Sequence, residues 1–355
     1  MEYGNNVGGE IVKRQHYVYR KHLAPWTVTQ KIDGQIFCYK TDERKIFSAN
    51  LTGVAQERYF NEFKVLTELE KFVAYFTSRT NDFEGVGNDL FMTAIGPLSF
   101  ISDINCNEEY IRKNVSESEC VDFFNKVRRQ LGEKAQGFYE DYGLNYLLRL
   151  LEGDVSFFEQ EYDRVRFTCY LMVQYSRTKK HRIKFREEFD LSPRELRLLI
   201  KVHGHELALV HIPFNIDLAL EQLNDIDINL NLEKVHPYVL DGLALFVVKK
   251  MLARRKPEIQ LINAPDGCEF FTGDQPVVNL GGLTRDPAFF CPIRPNKAIV
   301  LSFDRVERNE IANEQEVLVY NNMMIENSGL YIFSTSKENL EQGMDKYFSM
   351  SEARV

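Results

Sequence analysis

The chain has 355 residues, 44% of them apolar and 12% aromatic, enough to build a sizeable core, which excludes an intrinsically disordered chain. Its formal charge of -8 excludes a protein whose whole surface grips nucleic acid, since such binding rests on many phosphate-neutralising cations. The six cysteines (Cys38, Cys106, Cys120, Cys169, Cys268, Cys291) contain no CxxC pair, which argues against a zinc framework and a dense secreted disulfide scaffold and fits reduced thiols in a cytoplasm.

The opening MEYGNNVGGEIVKRQ lacks an apolar signal core. The longest apolar runs, Leu207 to Val210 and Leu243 to Val248, fall far short of the roughly 20 residues that span a bilayer. Neither export by a standard signal nor a membrane partner is expected. After a short basic arm, Gln35 to Tyr39 reads as a strand following the turn signal Asp33-Gly34, and a second extended piece around Lys45 to Ser48 completes a hairpin. From Glu57 to about Thr77, Phe60, Phe63, Leu66, Leu69, Val73 and Phe76 recur with the period of an amphipathic helix. Ser118, with Glu119 and Asp122, opens a long helical region that continues to about Gln174, with interruptions expected near Gly137, Gly143 and Gly153.

Ser192-Pro193 followed by Glu195 is a helix start, and Val239 to Ala253 reads as an apolar helix ended by Lys256-Pro257. Beyond Pro257 the texture changes to short β-rich pieces, Glu258 to Ile262, Glu269 to Thr272, Ala298 to Phe303 and Tyr331 to Ser334, with a helix near Asn313 to Asn327. No repeat and no Pro/Gly/Ser-rich linker divides the chain. The expectation is a single α+β domain over residues 1–355, with an N-terminal arm and hairpin (1–60), a mostly helical insert (61–256) and a β-rich C-terminal part (257–355). The β-sheet is built from N-terminal and C-terminal strands.

Four blocks stand out in order. The first is Gln15-His16-Tyr17-Val18-Tyr19-Arg20, followed by Leu23 and the only tryptophan, Trp26. Gln174-Tyr175-Ser176-Arg177-Thr178 comes next, then Phe271-Thr272-Gly273-Asp274-Gln275-Pro276-Val277. The last is Asn321 or Asn322 ahead of Ser328 and Tyr331-Ile332-Phe333-Ser334. Together they resemble the bacterial family known as domain of unknown function 4238 (DUF4238), from which Tyr19 departs by standing where that family usually has proline. The resemblance implies no reaction, so the chemistry rests on residue types.

His16 is a candidate general acid or base, or a donor to a ligand phosphate, and alternatively a structural residue of its aromatic surroundings. Asp274 should end a strand and either face a cleft, orienting His16 or a water, or form an Asx turn into Pro276. Gln174 and Arg177 are one helical turn apart, and the Arg177 fork suits a phosphate or carboxylate, or else pairs with Asp274 to tie helix to sheet. Asn321 joins Gln174 and Arg177 as a candidate substrate-binding residue. Arg177 to Arg186 carries six Lys/Arg in ten residues, and Lys13 to Lys21 carries four more around His16. These clusters suggest nucleic acid or a nucleotide as partner, unless they form only a solvated surface.

His203, His205 and His211 do not share one face and give no metal site. No HExxH, Walker A, GxSxG or GxGxxG element is present, so no cofactor is indicated. Three readings stay open. One is an enzyme acting on a phosphorylated or nucleic-acid substrate, nuclease-like or a defence effector. The others are a nucleotide- or anion-binding sensor without catalysis, and a structural or interaction protein.

Overall fold

The structure, a computed structural model, describes residues 13–78, 99–103, 107, 113–114, 116–189, 191–224, 230–240, 248, 256–281, 288–302 and 311–352. The basic arm is itself a strand, β1 (Arg14–His16). It pairs antiparallel with β4 (Gln56–Arg58), which places His16 opposite Gln56. Between them lies the expected hairpin of β2 (Gln35–Lys40) and β3 (Lys45–Asn50). The short helix α1 (Arg20–Leu23) and a 3-10 turn at Ala24–Trp26 connect β1 to the hairpin and bury Leu23 and Trp26 completely.

The helix expected from Glu57 begins only at Glu68, as α2 (Glu68–Ser78), because Glu57 pairs with Gln15 in the β1–β4 ladder. Tyr59 then turns the chain with φ of 56°. The true start is set by reciprocal capping, in which the Glu70 amide donates to Thr67 Oγ1 at 3.2 Å and the Thr67 amide donates to Glu70 Oε2 at 2.9 Å. Phe60, Phe63 and Leu66 are still buried, but from an irregular segment.

Helix α3 (Glu117–Leu151) runs 35 residues straight through Gly137 and Gly143, where interruptions were expected. Gly143 is a point of close approach. A Cβ there would lie 2.1 Å from the Tyr170 ring, which belongs to α4 (Glu161–Ser176). The break does occur at Gly153, whose φ of +85° favours glycine. After α4 come α5 (Lys179–Glu188), capped by Thr178, and α6 (Pro193–His203), whose Ser192–Glu195 capping box matches the sequence signal. Helices α7 (Glu206–Leu209) and α8 (Ile216–Gln222) and the helical residues 232–240 pack with α2 and α6 around Phe72, Ile200, Val235 and Val239. Most of the helix expected over Val239 to Ala253 lies outside the described residues.

The C-terminal part contains β5 (Glu258–Asn263), β6 (Thr272–Gly273), β7 (Val278–Asn279), β8 (Phe289–Arg294) and β9 (Lys297–Ser302). Helix α9 (Glu314–Asn327), β10 (Tyr331–Ser334) and helix α10 (Lys337–Glu352) complete it. Strand β8 was not expected, since Pro292 interrupts its apolar run; the register shifts between Pro292 and Arg294, and the strand is otherwise buried. One four-stranded antiparallel sheet has the order β5-β9-β8-β7 and the other β3-β2-β10-β6. The second joins the two ends of the chain, with Phe333 of β10 between Cys38 of β2 and Thr272 of β6. Trp26 Nε1 reinforces the union by donating to the Phe270 carbonyl at 2.9 Å.

Helix interiors gain about 1 kcal/mol when glycine becomes alanine. Gly143→Ala should nevertheless lower stability by about 1–3 kcal/mol, as the methyl collides with Tyr170. Thermal melting of the variant checks this.

Candidate functional site

Arg177, at the C-terminal end of α4, is the hub of the polar interior and is only 2% exposed. Its Nη1 donates to Glu140 Oε1 at 2.7 Å and to Gln136 Oε1 at 3.5 Å, both on α3. Its Nη2 donates to the His16 carbonyl at 2.8 Å and its Nε to the Tyr17 carbonyl at 3.2 Å. The ion pair is therefore with Glu140, where a pair with Asp274 was the structural expectation. The Arg177 fork is occupied by the protein and joins α3, α4 and the N-terminal segment.

Next to this hub is a cleft of about 320 Å³. The N-terminal segment contributes Arg14, His16, Tyr19, Arg20 and Lys21, with Ile32 and Thr52 from the following loops. Helix α3 contributes Glu133 and Glu140. His16 Nε2 is buried with no hydrogen-bond partner among the described residues. Burial of the ring lowers its pKa to about 4, helped by the Arg20 and Arg177 charges and opposed by hydrogen bonding to the Thr52 and Leu51 backbone. Across the cleft, burial raises the Glu133 carboxyl above its ordinary range, against the Asn61 amide hydrogen bond (2.9 Å) and the Arg177 charge. The cleft thus combines a neutral imidazole, a carboxyl biased towards its protonated form and three cations, Arg14, Arg20 and Lys21.

The other candidates do not line this cleft. Gln174 is 2% exposed, and both its amide atoms lack a partner among the described residues, at a cost of about 1–3 kcal/mol for each buried group left unpaired. Asp274, 4% exposed, accepts from the Gly329 and Leu330 amides at 2.7 Å each, while its own amide donates to the Tyr331 carbonyl at 3.0 Å. It ties the turn after β6 to the start of β10. Burial raises its pKa despite these amides and the nearby Lys180. Asn321 accepts from the Phe271 amide at 2.8 Å and donates to the Glu269 carbonyl at 2.9 Å, clamping α9 to the chain leading into β6. The structure thus brings His16 and Arg177 together through the backbone and leaves Asp274 in the turn after β6 and Asn321 on α9.

A family model described as a protein of unknown function (DUF4238) matches residues 14–338. The chain belongs to the DUF4238 family. No curated protein and no solved structure is significantly similar to it. In this DUF4238 member the four sequence blocks are where distant parts of the chain interlock. Gln275 shows the same pattern as Asp274 and Asn321: its Nε2 donates to the Tyr175 and Val277 carbonyls, both at 3.0 Å, and its Oε1 accepts from Thr178. Tyr19 of the first block lines the cleft.

In the basic run from Arg177 to Arg186, Arg177 is buried, Lys179, Lys180 and Arg182 are half-buried, and Lys184 and Arg186 are exposed. Lys179 pairs with Glu57 at 3.0 Å and Arg186 with Glu233 at 2.8 Å. Lys180 Nζ caps the C-terminal end of α9 by donating to the Glu326 and Asn327 carbonyls at 3.1 and 2.8 Å. Arg182 lies 3.6 Å from the centre of the Phe60 ring and donates to its carbonyl. The four cations between Lys13 and Lys21 behave differently, with Arg14, Arg20 and Lys21 at the cleft. Glu133, Gln136 and Glu140 were missed in the sequence, though a buried polar stripe at i, i+3 and i+7 was a detectable signal on a long helix.

Among the described residues no group of three or more His, Cys, Asp or Glu is arranged to hold a metal, the five cysteines are free, and no helix is long and apolar enough to cross a membrane.

Two outcomes are expected. Arg177→Met, which strands Glu140, should destabilise the protein by about 3–5 kcal/mol, and a double-mutant cycle with Glu140→Gln should give a coupling above about 1 kcal/mol in denaturant melts. The second concerns pH. Burial lowers the pKa of His22 to about 4 and of His181 to about 3, and pushes His236 well below 6.5. With His16, these imidazoles bind protons more readily unfolded than folded, so stability is full above pH 6.5 and is lost as pH falls towards 4. The raised carboxyls of Glu133 and Asp274 act in the opposite sense but are fewer. Melting temperature should therefore drop between pH 7 and pH 5.

Proposed function

We propose that this DUF4238 member is an enzyme that acts on a phosphate ester bound in the cleft of the N-terminal segment. The reading rests on one observation. A neutral imidazole with an unpartnered nitrogen, His16, stands among Arg14, Arg20 and Lys21 and opposite Glu133 in a cleft of small-molecule size. The three cations hold the phosphate, His16 takes the proton of the attacking hydroxyl or water, and the Glu133 carboxyl, which burial biases towards its protonated form, returns one to the leaving oxygen. Arg177 serves indirectly, by fixing the backbone that carries His16, and Asp274 and Asn321 keep the sheet behind it in place. The reaction class is hydrolysis or transfer at phosphorus, of which nuclease-like cleavage of nucleic acid is one form.

A pKa near 4 makes His16 a weak base in the free protein. A phosphate dianion offsets the Arg20 and Arg177 charges and raises the imidazole pKa back towards its ordinary value, so substrate binding itself makes His16 a stronger base. Imidazole NMR titration should show the His16 pKa rising when inorganic phosphate is added. Turnover of p-nitrophenyl phosphate, bis-p-nitrophenyl phosphate and a short RNA should fall by about 100-fold or more in His16→Gln, with little change in melting temperature. Phosphate binding without turnover of any probe would favour the sensor reading instead, and no phosphate binding would sink both.

A further inference from the structure

Glu133, the acid of the proposed reaction, lines the cleft and is held by a side chain that does not. Asn61 Nδ2 donates to Glu133 Oε2 at 2.9 Å. A protonated carboxyl has one oxygen that only accepts and one that carries the proton. Asn61 marks Oε2 as the accepting oxygen, which leaves the proton on Oε1. Asn61 is itself fixed from two sides and is only 6% exposed. Its amide donates to Gln15 Oε1 at 2.6 Å, while Gln15 Nε2 donates to the Arg129 carbonyl at 2.8 Å, one turn ahead of Glu133 on α3. Its carbonyl comes so near Gly132 that a Cβ there would lie 1.9 Å from the oxygen. Gln15 is fully buried and is the chain neighbour of His16, so one side chain fixes both the backbone beside the base and the partner of the acid.

We propose that Asn61 is the positioning residue for proton donation, holding the Glu133 carboxyl so that Oε1 protonates the leaving oxygen. This rests on the phosphate-ester reading and names its substrate class, an ester of an alcohol, whose leaving oxygen is too basic to depart without a proton. In the step, the attacking water forms its bond to phosphorus as His16 takes one of its protons. The bond between phosphorus and the leaving oxygen breaks, and its electron pair takes the Glu133 proton, so that the alcohol departs neutral. His16 then gives its proton to solvent and Glu133 regains one from it, which closes the cycle. Holding the carboxyl in advance matters, because a freely turning side chain presents its proton in the productive direction only part of the time. Arg177 at the end of α4, Glu140 on α3 and Arg20 on α1 also act on this carboxyl, and a change at Asn61 alters none of them.

Hydrolysis of phenyl phosphate and p-nitrophenyl phosphate by the full chain, followed across pH, tests this. p-Nitrophenolate departs with little help from an acid, whereas phenolate is more basic and depends on one. Asn61→Leu should lower kcat by about tenfold more on phenyl phosphate than on p-nitrophenyl phosphate, with KM kept for both. The hydrogen bond from Asn61 lowers the Glu133 pKa, so its loss should move the alkaline limb of the kcat/KM profile to higher pH. Asn61→Asp keeps the shape of the side chain and puts a carboxylate in place of the amide donor; it should move both readouts the same way and serves if the first variant does not fold. An equal loss on both esters, or an alkaline limb that stays in place, overturns the positioning role and leaves the phosphate-ester reading standing. A wild-type chain that turns over neither ester overturns that reading and the inference with it.

Discussion

One guanidinium decides how the middle of this molecule meets its beginning. Arg177 satisfies two main-chain carbonyls of the N-terminal segment and one carboxylate of α3 at the same time, from the end of α4. A charge that is almost entirely buried is costly unless it is paired and fully hydrogen-bonded, so this set of contacts has few alternatives. The position of the His16 side chain follows, since its own carbonyl is one of those held. The cleft is shaped on one side by this segment and on the other by Glu133 and Glu140, and Arg177 sits between the two walls.

A second layer of polar side chains works on the main chain in the same way. Asp274 gathers the amides ahead of β10, Asn321 clamps the segment entering β6, Gln275 and Thr178 lock α5 to the turn after β6, and Lys180 closes the end of α9. Each replaces a backbone partner that irregular secondary structure cannot provide. Short polar blocks far apart in sequence are thereby joined in space.

The α+β architecture and the meeting of the two ends were legible in the sequence because hairpin, capping and strand signals are local. Ser192 with Glu195 and Asn313 with Glu316 both form capping boxes, and Tyr331–Ser334 is a strand. What misled was equally physical. Phe60, Phe63 and Leu66 have helical spacing but are buried from irregular chain, because β1 and β4 claim Glu57 first. Gly143 reads as a break and is a helix-packing contact with Tyr170. His16 was singled out by its residue type and lines the cleft, and Arg177 was singled out as well, but its pairing with Glu140 depends on a helix-to-helix approach that no spacing rule reveals. Arg177, Lys179 and Arg186 pair with Glu140, Glu57 and Glu233, and Lys180 and Arg182 donate to main-chain carbonyls, which composition alone does not show.

The sheet β3-β2-β10-β6 has a consequence for the order in which the protein can be completed. Ile332 pairs with Tyr39, so the inner edge of the N-terminal hairpin is built first and waits for a strand that is made far later in the chain. During that interval β2 presents open amides and carbonyls beside Phe37 and Tyr39, a template for any other extended chain. Closing so distant a pair also carries a large loop-closure entropy. A strand made much later is thus the one that protects this hairpin, and the interval between them is when a nascent chain is most exposed to wrong pairing.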